Sequence, residues 1–203
     1  MMYKMKTAEK KVGRPRSFSE EEALDSALQV FMKKGYEGCS VDDLACALGI
    51  NKPSLYAAFG NKEDLFLSVL RKYHERYRKN FAELSEMGLA PKQAIEEWFS
   101  WFLANYRSQD EPVGCLIVNS TLLAGENYPK IAEELKSFHD LNEKLMTDYL
   151  RKEKKKGRFD GDPAATSQFL NAVVQGMAVL HRSQRDPKVL KNIVRKALAA
   201  LPE

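Results

Sequence analysis

The stretch from Ser40 to Phe59, SVDDLACALGINKPSLYAAF, constrains this chain more than any other. Ser40 is a strong N-cap, and Asp43 stands where an acid closes a capping box. Leu44, Ala45 and Leu48 share one face at helical spacing. Gly49 ends that helix, because glycine enters a left-handed turn without steric cost. Ile50 fills the corner. Pro53 opens the next helix, where a missing N–H costs nothing, and Leu55 points back at the first. Ala45 is small where the second helix crosses. Two short helices with one tight turn form a helix-turn-helix, whose second helix enters the DNA major groove. An ordinary three-helix core is the competing reading, and the flanking sequence decides between them.

Upstream runs F-x-x-x-G-Y-x-x-x-S-V-x-x-L-A, carried by Phe31, Gly35, Tyr36, Ser40, Val41, Leu44 and Ala45. Then comes G-I-x-K-x-S-L-Y-x-x-F, carried by Gly49, Ile50, Lys52, Ser54, Leu55, Tyr56 and Phe59. Lys62, Glu63, Leu65 and Phe66 complete the series. In this order the segment resembles the TetR/AcrR family of transcriptional regulators. The resemblance covers about the first third of the chain. It implies an all-α protein: an N-terminal three-helix DNA-binding domain joined through a long helix to a C-terminal helical domain for ligand binding and dimerisation.

The rest of the pattern agrees. The chain has 203 residues, 44% hydrophobic and 30% charged, enough for one large or two small domains. We expect a basic arm over 1–18, the helix-turn-helix domain over 19–66, and a regulatory and dimerisation domain over 67–203. Ser19 and Glu22 read as a capping box for the first helix, with Lys33, Lys34 and Gly35 as its stop. A long fourth helix follows Asn61, to about Met87, with Leu65, Phe66, Val69, Leu70, Tyr73, Tyr77 and Phe81 inward. Further helices are expected over 91–106, 114–124 and 129–156. Asp162-Pro163 and Asp186-Pro187 open the last two, with Gly176 admitting a close backbone approach. No segment alternates like a strand.

No apolar run approaches the roughly 18 residues of a membrane span, so no membrane association is expected. The basic N-terminus lacks the apolar core of a secretory signal. Three cysteines cannot all pair within one chain and fit no zinc spacing, so a reducing, cytoplasmic setting is expected. Cys39 and Cys46 read as packing residues. His74, His139 and His181 lack metal spacing. There is no phosphate cradle, HExxH or nucleophile elbow, so neither a cofactor, a metal nor enzymatic activity is expected.

The candidate DNA-binding residues follow from position. Residues 1–20 hold six Lys/Arg against two acids, a basic arm beside the reading motif. Gly13-Arg14-Pro15-Arg16 holds Arg14 and Arg16 in an extended segment suited to a narrow A·T-rich minor groove. Lys52 and Ser54 lie near the start of the reading helix, within reach of bases or phosphates. The Asn51 amide can pair with an adenine edge. Ser40 can donate to a phosphate from the preceding helix. The resemblance adds Tyr56 as a phosphate-binding hydroxyl. It adds Lys62 as a lysine acting with the helix dipole on the DNA backbone. Pro53, Ala57 and Ala58 depart from many relatives and leave fewer side chains to touch bases.

A lone reading helix binds weakly, so a homodimer on a palindromic operator is expected, built by the last two helices. The resemblance also implies a small-molecule inducer held in the C-terminal domain. Trp98, Phe102 and Tyr106 share a helical face that can line its cavity, with Phe138 and Leu141 opposite. Asn119 is a polar residue in an apolar helix and needs a partner. Cys115, beside a helix start, is a candidate thiol sensor. The expected function is a double-stranded-DNA-binding repressor, released by inducer or thiol modification. A ligand-independent architectural DNA binder is the alternative.

Overall fold

The computed structural model describes residues 19–107, 115–121, 127–183 and 186–202. Among them are nine helices and no strand: α1 (Glu20–Gly38), α2 (Val41–Leu48), α3 (Lys52–Phe59), α4 (Lys62–Glu86), α5 (Pro91–Arg107), α6 (Leu116–Thr121), α7 (Pro129–Lys155), α8 (Pro163–Arg182) and α9 (Pro187–Ala199). No described helix is long and apolar enough to cross a membrane.

Local chemistry sets most of the boundaries. Proline stands in the first turn of α3, α7, α8 and α9, where the helix needs no N–H from it. Asp162 caps α8 by accepting from the N–H groups of Ala164 and Ala165 at 2.8 and 3.0 Å. Asn61 and Asp64 form a reciprocal capping box on α4. The expected box at Ser19 does not form: Ser19 is the N-cap of α1, but its side chain makes no capping bond. Three acids in the first turn, Glu20 to Glu22, complement the helix dipole there instead. Lys72 of α4 adds an ion pair to Asp25 at 2.7 Å and a bond to the Glu21 carbonyl.

The stop expected at Lys33-Lys34-Gly35 is real but local. Gly35 takes φ 71° and ψ 175°, which kinks α1 and swings Tyr36 into the core. The ring of Tyr36 lies 4.9 Å from Phe66 and 4.9 Å from Tyr128, and Phe31 meets Phe66 edge-on at 4.7 Å. Phe31, Leu44, Leu55 and Phe66 are fully buried, so α1 to α4 close round one core. Each such side chain contributes roughly 1.5–3 kcal/mol of apolar burial.

Beyond α3, the long helix α4 crosses into a second layer. There it packs on α7 and α5, α7 packs on α8, and α8 packs on α9. The basic run that ends α7 is exposed, with Lys152, Lys154 and Lys155 in the last helical turn. Buried Glu153 pairs with Lys156 at 2.8 Å and with Arg158, and Lys154 donates to the Gly161 carbonyl. The close approach expected at Gly176 is absent among the described residues. Gly176 is exposed, and nothing lies within 4 Å of where its Cβ would stand.

Candidate nucleic-acid interface

The turn between α2 and α3 is built as its residues dictate. Gly49 takes φ 65°, and the Ile50 N–H donates to the Ala45 carbonyl at 3.1 Å, closing α2. Ile50 is half-buried at the corner. Leu55 and Phe59 anchor α3 inward, while Lys52, Pro53, Ser54, Tyr56 and Ala57 face outward. The outer face of α3 is therefore free of the chain's own interior. Tyr56 is 48% exposed, a large aromatic left in solvent.

The polar groups around this face are partly engaged. The Ser40 hydroxyl accepts from the Asp43 N–H at 3.1 Å and donates to Asp43 Oδ2 at 2.8 Å. The Ser40 N–H also goes to Oδ2, at 2.9 Å. Both donors of Ser40 are thus held by one carboxylate, and donation to a phosphate requires the box to open. Asp43 is itself clamped by Lys34 Nζ at 2.5 Å; that bond and those from Ser40 bring its pKa down to about 2. The Asn51 Oδ1 caps α3 by accepting from the Ser54 N–H at 2.9 Å, which leaves the amide NH₂ for an outside partner. Lys52 Nζ bridges back to Asp42 at 2.8 Å, raising the lysine pKa. Both side chains are exposed, so this pair is weak and a phosphate can displace Asp42.

Lys62 turns inward. Its ammonium donates to the Tyr36 and Cys39 carbonyls at 3.0 Å each and lies 4.3 Å from the Tyr36 ring centroid. It ties the start of α4 to the end of α1. Burial pushes the Cys39 thiol up to about 11 and the Tyr36 phenol up to about 12, so both stay protonated at this junction. Cys46, expected to be a packing residue, is exposed, because α2 buries only Leu44 and Ala45. Arg14 and Arg16 lie outside the described residues.

A second set of links, not foreseen from local patterns, joins this unit to α7. Besides the ring contact with Tyr36, Lys130 pairs with Glu63 at 3.5 Å and Glu134 with Arg71 at 3.1 Å. The partners stand more than 60 residues apart in the chain, so no local pattern reveals them. Through α7 and α4 together, the reading unit is braced against the second layer.

In that layer the candidate ligand residues partly converge. Trp98 meets Phe102 edge-on at 5.0 Å, and Tyr77 lies 6.2 Å from Phe102 and 5.6 Å from Phe138. Cys115 is buried, its Sγ 3.7 Å from the Tyr73 hydroxyl. Asn119 and Leu141 are half-buried. The Asn119 N–H donates to the Cys115 carbonyl at 2.9 Å as the first turn of α6. Tyr106 belongs to α5, but its side chain lies outside the described residues. Tyr77 and Tyr73, which sequence reasoning assigned to the core of α4, are the rings that join this cluster together. Among the described residues no group of His, Cys, Asp or Glu is arranged to hold a metal ion.

A three-helix unit with a capped turn and an outward second helix, joined through α4 to a larger helical layer, defines a helix-turn-helix DNA-binding protein. Residues 23–69 match the family model of bacterial regulatory proteins of the tetR family. The HTH-type transcriptional repressor ComR of Escherichia coli K12 is 33% identical over 194 residues, covering 94% of this chain and 92% of ComR. A second repressor from that organism, BdcR, is 26% identical over 170 residues, 84% of this chain and 82% of its own. Among solved structures, a cysteine mutant of the TetR-family regulator CifR, complexed with 26-bp operator DNA, superposes with a TM-score of 0.85. It has 29% identity and covers 94% of this chain and all of its own. The chain belongs to the TetR family of bacterial transcriptional regulators.

Proposed function

We propose that this protein is a homodimeric repressor that binds a palindromic operator through α3 and is released by a small-molecule inducer. The outward face of α3 is the observation that carries the reading. It leaves Lys52, Ser54 and Tyr56 in solvent on a helix anchored by two buried side chains. The similarity to ComR, named a repressor, and to CifR, solved with operator DNA, supports the negative sign and the operator. In this reading Tyr56 and Lys52 meet phosphates, and the Asn51 NH₂ and Ser54 meet base edges. Arg14 and Arg16 add minor-groove affinity. Lys62 and Ser40 act chiefly by holding the junction and the α2 cap in place, so that the neighbouring backbone meets phosphate.

Dimerisation falls to α8 and α9. Phe169, Val179 and Val189 are exposed large apolar residues there, and half-buried Val173 and Ile193 lie with Phe169 and Val189 along one shallow groove. The open space over Gly176 suits the close approach of a second copy. The inducer site is assigned to the aromatic cluster of Trp98, Phe102 and Phe138, with Tyr106, Leu141 and Asn119 at its border. Modification of Cys115 is the alternative trigger at the same place. Either trigger works by favouring a dimer whose α3 helices no longer match the half-site spacing. α4 and α7 carry the change.

An operator titration tests the assignment. The DNA flanking the coding region serves as ligand, at two salt concentrations. Tyr56→Phe is expected to weaken binding about 3- to 10-fold on all sequences, as loss of one phosphate bond does. Asn51→Ala is expected to change the order of preference among operator variants. Weak, sequence-indifferent binding by the parent protein would instead identify an architectural DNA binder.

A further inference from the structure

We infer that Asp42 limits how tightly the reading unit holds DNA, by occupying Lys52 in place of a phosphate. The inference rests on the proposed placing of Lys52 at the DNA backbone. Asp42 Oδ1 lies 2.8 Å from Lys52 Nζ, so the pair spans the turn from the start of α2 to the start of α3. Asp42 is not needed for the α2 cap. Ser40 and Asp43 complete that cap between them, and Lys34 takes up Asp43. Lys52 is the one ion-pair partner of Asp42 among the described residues. Nor does Lys52 serve its own helix. It is the first residue of α3, whose first turn holds no acid, and a cation there opposes the helix dipole. What Asp42 offers is what DNA offers, a solvent-exposed anion that only accepts hydrogen bonds. An ammonium is a point charge and exchanges one such partner for another without a fixed fork geometry.

Binding DNA therefore moves Lys52 from one anion to another, and only the difference between the two contacts adds to affinity. Opening an exposed pair of this kind costs roughly 1.5- to 5-fold. Once vacated, Asp42 is left as a bare charge beside the phosphate backbone, and that repulsion adds to the loss. Lys52 reaches phosphate and not a base edge, so both effects weaken binding to every sequence alike. Asp42 thus sets the level of affinity and leaves base preference to the other outward side chains. A complex held at a lower level needs less differential affinity from an effector to empty the operator. The competing role for Asp42 is helix stability, since a carboxylate in the first turn of α2 complements its dipole. That role has the opposite signature: removing the charge lowers the melting temperature and gains nothing on DNA.

Fluorescence anisotropy on the full-length protein tests this, with the DNA flanking the coding region and an unrelated duplex of equal length. Asp42→Asn, with an unchanged circular dichroism spectrum, is expected to bind both about 3- to 10-fold more tightly at about 50 mM salt. The gain should shrink at about 200 mM. Asp42→Glu keeps the charge and is expected to stay within about twofold of the parent. In a Lys52→Ala background, Asp42→Asn is expected to gain at most about twofold, because the pair it would open is already gone. A parent that binds the two duplexes equally would overturn the operator reading and leave this inference standing, since Asp42 acts on both. Failure to bind either duplex would overturn both. An Asp42→Asn variant no tighter than the parent, or an equal gain with and without Lys52, would overturn the inference while the operator reading stands.

Discussion

A Ser54→Glu variant is expected to fold at least as stably as the parent and to lose operator affinity by about 100-fold or more. The two effects have opposite signs for one reason. Ser54 is the third residue of α3, exposed, with its N–H already bonded to the Asn51 cap. A carboxylate there meets the positive end of the helix dipole and can reach back to the free cap N–H, which stabilises the helix. On DNA the same charge is carried between phosphate ridges, where every contact depends on neutralising them. Thermal unfolding and an anisotropy titration on one preparation check both halves. Retained affinity with unchanged melting would remove the leading turn of α3 from the interface.

The second large effect lies far from the DNA. A Val179→Glu variant is expected to be monomeric at micromolar concentration and to lose operator affinity by about 100-fold or more. Val179 is 50% exposed on α8, so the chain has room for the longer side chain and its own fold is untouched. In a twofold interface each substitution meets its own copy's surface, and two buried like charges are severely unfavourable. Losing the second reading helix removes the gain from a tethered second half-site. Analytical ultracentrifugation reads the association state, and the operator titration reads the consequence. A dimer that survives the substitution would move the interface away from the α8–α9 face.

The parts of this fold that sequence reveals are those fixed by near neighbours. The Ser40–Asp43 box, the left-handed Gly49 and the Asp-Pro starts of α8 and α9 depend on residues within a few positions, and all formed. Where a distant group competes, the local pattern fails. Ser19 and Glu22 have the right spacing for a box, but the start of α1 rests on acids and on Lys72 from α4. Lys62 has the look of a solvent-facing charge at a helix start, yet carbonyls 23 and 26 residues upstream hold it. The capping bonds that made Ser40 and Asn51 legible also occupy the Ser40 hydroxyl expected to touch DNA, and leave Asn51 only its amide NH₂ for that purpose. The aromatic cluster was half legible. Helical spacing put Trp98 and Phe102 on one face, but only the packing of α4 against α5 and α7 shows that Tyr77 unites them with Phe138.

Methylation protection of operator guanines bears most directly on the claim that two α3 faces read one side of a duplex. We expect two clusters of protected N7 positions in the major groove, related by twofold symmetry and centred about 10 base pairs or a whole multiple of that apart. Both clusters should vanish together in the Val179→Glu variant. A single cluster, or tight binding that leaves every major-groove N7 open to the reagent, would contradict the account.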